Sequence, residues 1–158
     1  MNNKYLPHLC ILPEDDADRA LAIGFLLDDR VDQRRIDILK PAGGWLKVLD
    51  GVADCGLDRY AERRLLLLMD FDDDVHHRLP KALARIPGAL RHRVYLLGSA
   101  SEPERLSVGI GAPLEQIGMR AAQQCAEGRD ALWDHPLLRH NRPEWARLTR
   151  DVRPFVMR

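Results

Sequence analysis

Lysine is scarce in this chain. Only Lys4, Lys40, Lys47 and Lys81 occur in 158 residues, and arginine supplies the rest of the positive charge. Lys plus Arg (24) balances Asp plus Glu (24), so the net charge is zero. A neutral chain has no overall field to gather nucleic acid, and any such contact needs a local basic patch. Cysteine is limited to Cys10, Cys55 and Cys125. They are too few and too far apart for a metal-ligand spacing or a disulfide framework, so buried reduced thiols are expected. Aromatic residues make up 6%; Trp133 and Trp145 are expected to pack rather than to bind. No apolar run reaches membrane length, and MNNKYLPHLCIL offers no stretch of signal-peptide length, which leads to a cytoplasmic expectation without a membrane partner. Repeats and low-complexity linkers are absent as well. A single domain over 1–158 is expected, large enough to bury roughly 70% of its unfolded surface.

What is present is an alternation of short apolar runs and helical patterns. HLCILP (8–13), RRIDIL (34–39), LLLLMD (65–70) and RHRVYLLGS (91–99) read as strands. Segments 16–29, 41–56, 75–86, 113–128 and 142–152 read as helices, the second opened by Gly43-Gly44 and the third interrupted by Pro80. LLLLMD is apolar at every position but its last, as expected of a strand covered on both faces. The alternation demands crossover connections and predicts an α/β fold, a mainly parallel sheet with helices on both faces.

In such sheets the functional crevice lies beyond the carboxyl ends of the strands. The sequence places Glu14-Asp15-Asp16 after the first strand, Gly43-Gly44 after the second, Asp70-Phe71-Asp72-Asp73-Asp74 after the third and Ser99-Ala100-Ser101-Glu102 after the fourth. Strand alternation aims Asp70 and Asp72 to one side and Phe71 to the other. With Glu14 facing them, the oxygens describe a site for Mg²⁺ or Mn²⁺. Several neighbours have a plainer reading. Asp15 or Asp16, and Asp73 or Asp74, suit helix N-caps, and Ser101-x-x-Glu104 suits a capping box.

ILPEDDADRALAIGFLLDD, ILKPAGGWLKVL and LLLLMDFDDD, in that order, resemble a TOPRIM domain, the metal-binding module of topoisomerases, primases, OLD-type nucleases and small ribonuclease-like proteins. The resemblance covers about residues 8–107 and leaves a helical extension over about 108–158. It implies Glu14 as the acid/base glutamate and Asp70 and Asp72 as metal ligands. Asp74 falls where some members carry a third acid, and Glu102 or Glu104 in GSASEPERL where OLD-like members complete a second site. Asp15 stands where the family usually has glycine. CILPEDDADRALAIGFLL also resembles the opening of a response-regulator receiver, with Asp70 as phosphoacceptor. No lysine follows Lys81, however, and a receiver needs one after its fifth strand.

The expected activity is divalent-metal-dependent cleavage of phosphodiester bonds in DNA or RNA. Asp15, Asp18 and His76 are supplementary candidates, and Arg78 and Arg93 are candidates for phosphate contact, since the guanidinium fork meets phosphate bidentately. The alternatives are a non-catalytic interaction or regulatory subunit, working with a protein partner such as an ATPase or as an oligomer, and a degenerate receiver-like signalling domain. His140-Asn141 is reminiscent of HNH nucleases but lacks that motif's other ligands.

Overall fold

Among the described residues, four strands form one sheet in the order β2-β1-β3-β4: β1 (His8–Pro13), β2 (Ile36–Ile38), β3 (Arg63–Leu68) and β4 (Val94–Leu97). All three pairings are parallel. The computed structural model describes residues 3–158. Between and after the strands run α1 (Asp16–Leu26), α2 (Trp45–Asp50), α3 (Val75–Arg85), α4 (Pro103–Ile110), α5 (Leu114–Glu127) and α6 (Arg142–Val156). Every residue of β1 is buried, which is why its run is apolar rather than alternating.

The strand residues divide by parity between two cores. Leu9, Ile11, Leu66, Tyr95 and Leu97 pack with residues of α1, α4, α5 and α6. Cys10, Leu12, Leu65, Leu67, Val94 and Leu96 pack with residues of α2 and α3. This is the expected α/β architecture with helices on both faces. α1 and α5 lie almost backbone to backbone. A Cβ on Gly118 would sit 2.1 Å from the Leu21 carbonyl oxygen, and one on Gly24 would sit 1.9 Å from that of Glu115. Only glycine permits that approach. All three cysteines are free and buried, as their scarcity implied.

Several boundaries differ from the sequence reading. β2 and β4 are shorter than expected because 3₁₀ turns at Gln33–Arg35 and Gly88–Arg93 precede them. The helix after Gly43-Gly44 stops at Asp50 and tightens into a 3₁₀ turn over Gly51–Asp54. α3 runs unbroken through Pro80. The carbonyl that Pro80 leaves without a partner belongs to His76, an exposed residue whose carbonyl water can satisfy. α4 does start in the GSASEPERL segment, but its N-cap is Glu102 with Pro103 following, and no side-chain cap forms. The capping box at Ser101 and Glu104 is therefore not made: Ser101 is buried and bonds Arg105 instead.

Candidate metal centre

The acids collect where β1 and β3 end side by side. Glu14 extends the ladder past β1, its N–H donating to the Leu68 carbonyl at 2.8 Å. Beyond β3, Met69 and Phe71 donate to the carbonyls of Leu97 and Ser99. Both bury their side chains in the α2/α3 core. Asp70, between them, is left to face the other way, toward β1 and the start of α1. Glu14 Oε2 accepts from the Asp70 N–H at 3.4 Å.

α1 begins at the same edge. Asp15 is its N-cap and accepts the Asp18 N–H at 3.0 Å. Asp18 heads the stripe Asp18, Leu21, Ala22, Phe25, the face of α1 that turns to the core. It is 1% exposed, and its Oδ2 has no hydrogen-bond partner. Glu14, Asp15 and Asp18 each offer a carboxylate oxygen within 4.8 Å of the others.

Crowding and burial raise Asp18, Glu14 and Asp70 above ordinary carboxylates. Burial pushes Asp18 up to about 9, and the charges of Asp15 and Glu14 push the same way. Glu14 rises to about 7, first through burial and then through Asp70, with its bond to the Asp70 N–H opposing. Burial raises Asp70 as well, against the bond it accepts from the Asp72 N–H at 3.0 Å. A buried carboxyl with an unpartnered oxygen requires a proton or a cation. Hard divalent cations bind oxygen ligands at roughly 2.0–2.6 Å, and the donor set here, all carboxylate oxygen with one exposed member, fits such an ion.

The remaining candidates are placed differently. Asp72 lies outside the Glu14-Asp15-Asp18 group, although its charge still raises Asp70. The strand has ended, and left-handed backbone at Asp72 (φ 51°) and Asp73 (φ 60°) breaks the alternation that was expected to aim it inward. Asp72 is exposed and pairs with Arg78 at 3.4 Å. Asp73 pairs with Arg105 at 3.3 Å. Asp74 occupies the N-cap position of α3 without a side-chain cap bond, and holds the His77 ring at 2.8 Å instead. His76 is exposed and meets His77 edge-on. Glu104 is exposed in the first turn of α4.

Arg93 lies at the opposite, amino edge of the sheet, its guanidinium donating to the carbonyls of Arg63 and Tyr60. That removes it from the phosphate-contact set, because its fork is already held by the chain. Arg78 stays at the crevice, close enough to lower Glu14 and Asp70 electrostatically. Its guanidinium lies 4.8 Å above the ring of Trp45, a neighbour the sequence reading did not single out. The only signal for it was the Gly-Gly pair that aims the chain there. Gly43, at φ 91°, donates its N–H to the Glu14 carbonyl at 2.8 Å, so the turn that delivers Trp45 is tied to the acid site.

His140 and Asn141 are structural. Asn141 accepts the Gly98 N–H at 3.0 Å and donates to the Gly98 carbonyl at 2.8 Å, and His140 donates to the same carbonyl at 2.6 Å. No helix among the described residues is long and apolar enough to cross a membrane. Comparison of the chain with protein-family models, curated proteins and solved structures gives no match.

Proposed function

We propose that this protein is a divalent-metal-dependent phosphodiesterase acting on DNA or RNA, built on a TOPRIM-like acid site. The observation that carries the reading is Asp18: a carboxylate 1% exposed, one oxygen unpartnered, within 4.8 Å of two more carboxylates at the carboxyl edge of a parallel sheet. Asp15 and Asp18 would hold the ion, with Asp70 beside them on the Glu14 side and Glu14 at its edge as the acid/base group. A divalent cation there polarises a phosphate oxygen and lowers the pKa of a bound water. Glu14 is the carboxylate left to take a proton from the attacking water. Arg78 offers the guanidinium nearest the acids, suited to a phosphate.

The test is cleavage of labelled single- and double-stranded DNA and RNA by pure protein with Mn²⁺ or Mg²⁺. Cleavage is expected to vanish in EDTA, in Asp70→Ala and in Asp18→Ala. Absence of cleavage on all four substrates with either metal would refute the reading.

A further inference from the structure

Arg78 is positioned from two sides. Its guanidinium carbon lies 4.8 Å from the centre of the Trp45 ring, and its Nη2 lies 3.4 Å from Asp72 Oδ2. The indole holds the guanidinium over its face, where the ring's negative quadrupole attracts the cation. Asp72 occupies the edge of the fork that would otherwise meet a phosphate. Two further facts single out that contact. The arginine side chain is 29% exposed and that of Asp72 is 65% exposed, so the pair sits where solvent or a substrate can compete for it. Asp72 also holds left-handed backbone at φ 51°, next to Asp73 at φ 60°. Such a conformation costs a non-glycine residue energy and persists only where the surroundings impose it. Asp70 Oδ1, which accepts the Asp72 N–H, and Arg78 pin this turn.

We infer that Arg78, held over the Trp45 ring, is the anchor for a substrate phosphate, and that Asp72 is an internal stand-in which occupies it until substrate arrives. The inference rests on the phosphodiesterase reading and deepens it. A carboxylate and a phosphate present the same kind of bidentate acceptor to a guanidinium. Exchange of one for the other leaves Arg78 paired throughout and releases Asp72 from its turn. Trp45 is a positioning residue: it acts through the arginine and not on the phosphate. Its tether through Gly43 to the Glu14 carbonyl keeps the anchor in fixed register with the acids.

The experiment is fluorescence anisotropy of a labelled single-stranded oligodeoxythymidylate with the full chain, in Ca²⁺, over a series of KCl concentrations. Each phosphate contact to single-stranded nucleic acid contributes about 0.7 to the slope of log K against log salt. Arg78→Ala is expected to weaken binding and to reduce that slope by about 0.7. Trp45→Ala should reproduce the slope change and Trp45→Phe should restore it, because phenylalanine still offers a face. Asp72→Asn should tighten binding, since the competing charge is gone. In cleavage assays the same Trp45→Ala change should raise KM more than it lowers kcat. Unfolding midpoints of Trp45→Phe and Arg78→Ala check that the fold survives.

An Arg78→Ala slope equal to the wild type would overturn the anchor. A Trp45→Ala protein matching the wild type would remove the positioning role. An Asp72→Asn protein that binds more weakly would make Asp72 a ligand rather than a stand-in. Those outcomes do not bear on Mn²⁺-dependent cleavage by the wild type, whereas absence of wild-type cleavage together with the reduced Arg78→Ala slope would count against the phosphodiesterase and spare the anchor.

Discussion

Glu14 Oε2 and the backbone N–H of Asp70 meet at 3.4 Å across 56 positions of sequence. The contact exists because β1 and β3 pair in parallel from His8↔Arg63 to Pro13↔Leu68 and so end together. An acid placed just after each strand is delivered to the same edge. Asp18 joins them one helical turn later, on the inward face of α1. The fold thus gathers carboxylates that gain protons from one another's presence.

That crowding sets a pH dependence for the metal-free protein. Burial and the neighbouring carboxylates raise Glu14 to about 7 and Asp18 to about 9 in the folded protein, above the ordinary carboxylate range. The folded state therefore binds more protons than the unfolded state over this range, and stability falls as pH rises. In EDTA the urea midpoint should be higher near roughly pH 5.5 than near roughly pH 8.5, since both groups are ionised in the unfolded chain throughout this interval while folded Asp18 keeps its proton, and Asp18→Asn, which cannot ionise, should flatten the difference. A midpoint that climbs over this range would mean that the acids are not buried as described.

A cation should reverse that loss. Binding to the folded state alone adds RT ln(1 + [L]/Kd), about 2.7 kcal/mol at one hundred times Kd, or roughly 5–10 °C in Tm for a chain of this length. Mn²⁺ should raise the wild-type Tm most at the alkaline end, where the proton competes least. Asp18→Asn should abolish most of the response. Asp16→Asn should keep it, because Asp16 is exposed and the α1 cap is made by Asp15. Equal responses from both variants would exclude Asp18 as a ligand.

The sheet, its parallel sense and its acid edge were all legible in the sequence. Strands buried on both faces read as continuous apolar runs, and the alternation with helices leaves little topological choice. Residue-level aim was less legible. Asp70 and Asp72 read as a same-side pair only if the strand continues; a left-handed turn at Asp72 and Asp73 ends it, and the Asp73 N–H donates to the Ala100 carbonyl beyond β4 at 2.7 Å. Arg93 and Arg78 look alike in sequence. One precedes β4 and the other follows β3 by a turn, which puts them at opposite edges of the sheet. The Trp45–Arg78 stack joins two separate crossovers and leaves no local pattern at all.

The α1–α5 contact offers a test of the frame that carries Asp18. A methyl group at Gly118 would meet the Leu21 carbonyl oxygen at 2.1 Å and the Phe25 nitrogen at 2.9 Å, backbone atoms that cannot turn aside. Gly118→Ala should destabilise by about 1–3 kcal/mol or more through overpacking. Gly88→Ala, with open space around its Cβ, should stay within about 0.5 kcal/mol of the wild type. Thermal unfolding of the two variants side by side checks this. If Gly118→Ala is neutral, α1 and α5 are not packed backbone to backbone.

Asn141 fixes the end of β4, and its replacement separates a structural role from a chemical one. It is 2% exposed and pairs with both polar groups of Gly98. Gly98 cannot shift to find other partners, because even a Cβ there would lie 1.6 Å from the Met69 carbonyl oxygen. Asn141→Ala leaves the Gly98 N–H without an acceptor, at a cost of about 1–3 kcal/mol. His140→Ala should cost less, since the Gly98 carbonyl keeps the Asn141 donor. Burial lowers the His140 pKa, so the ring is expected to be neutral and to serve as a donor to that carbonyl. Cleavage by His140→Ala, assayed well below its unfolding midpoint, should therefore match the wild type in kcat. A folded His140→Ala protein without activity would instead put the imidazole in the reaction, and would revive the nuclease-like reading of the His140-Asn141 pair.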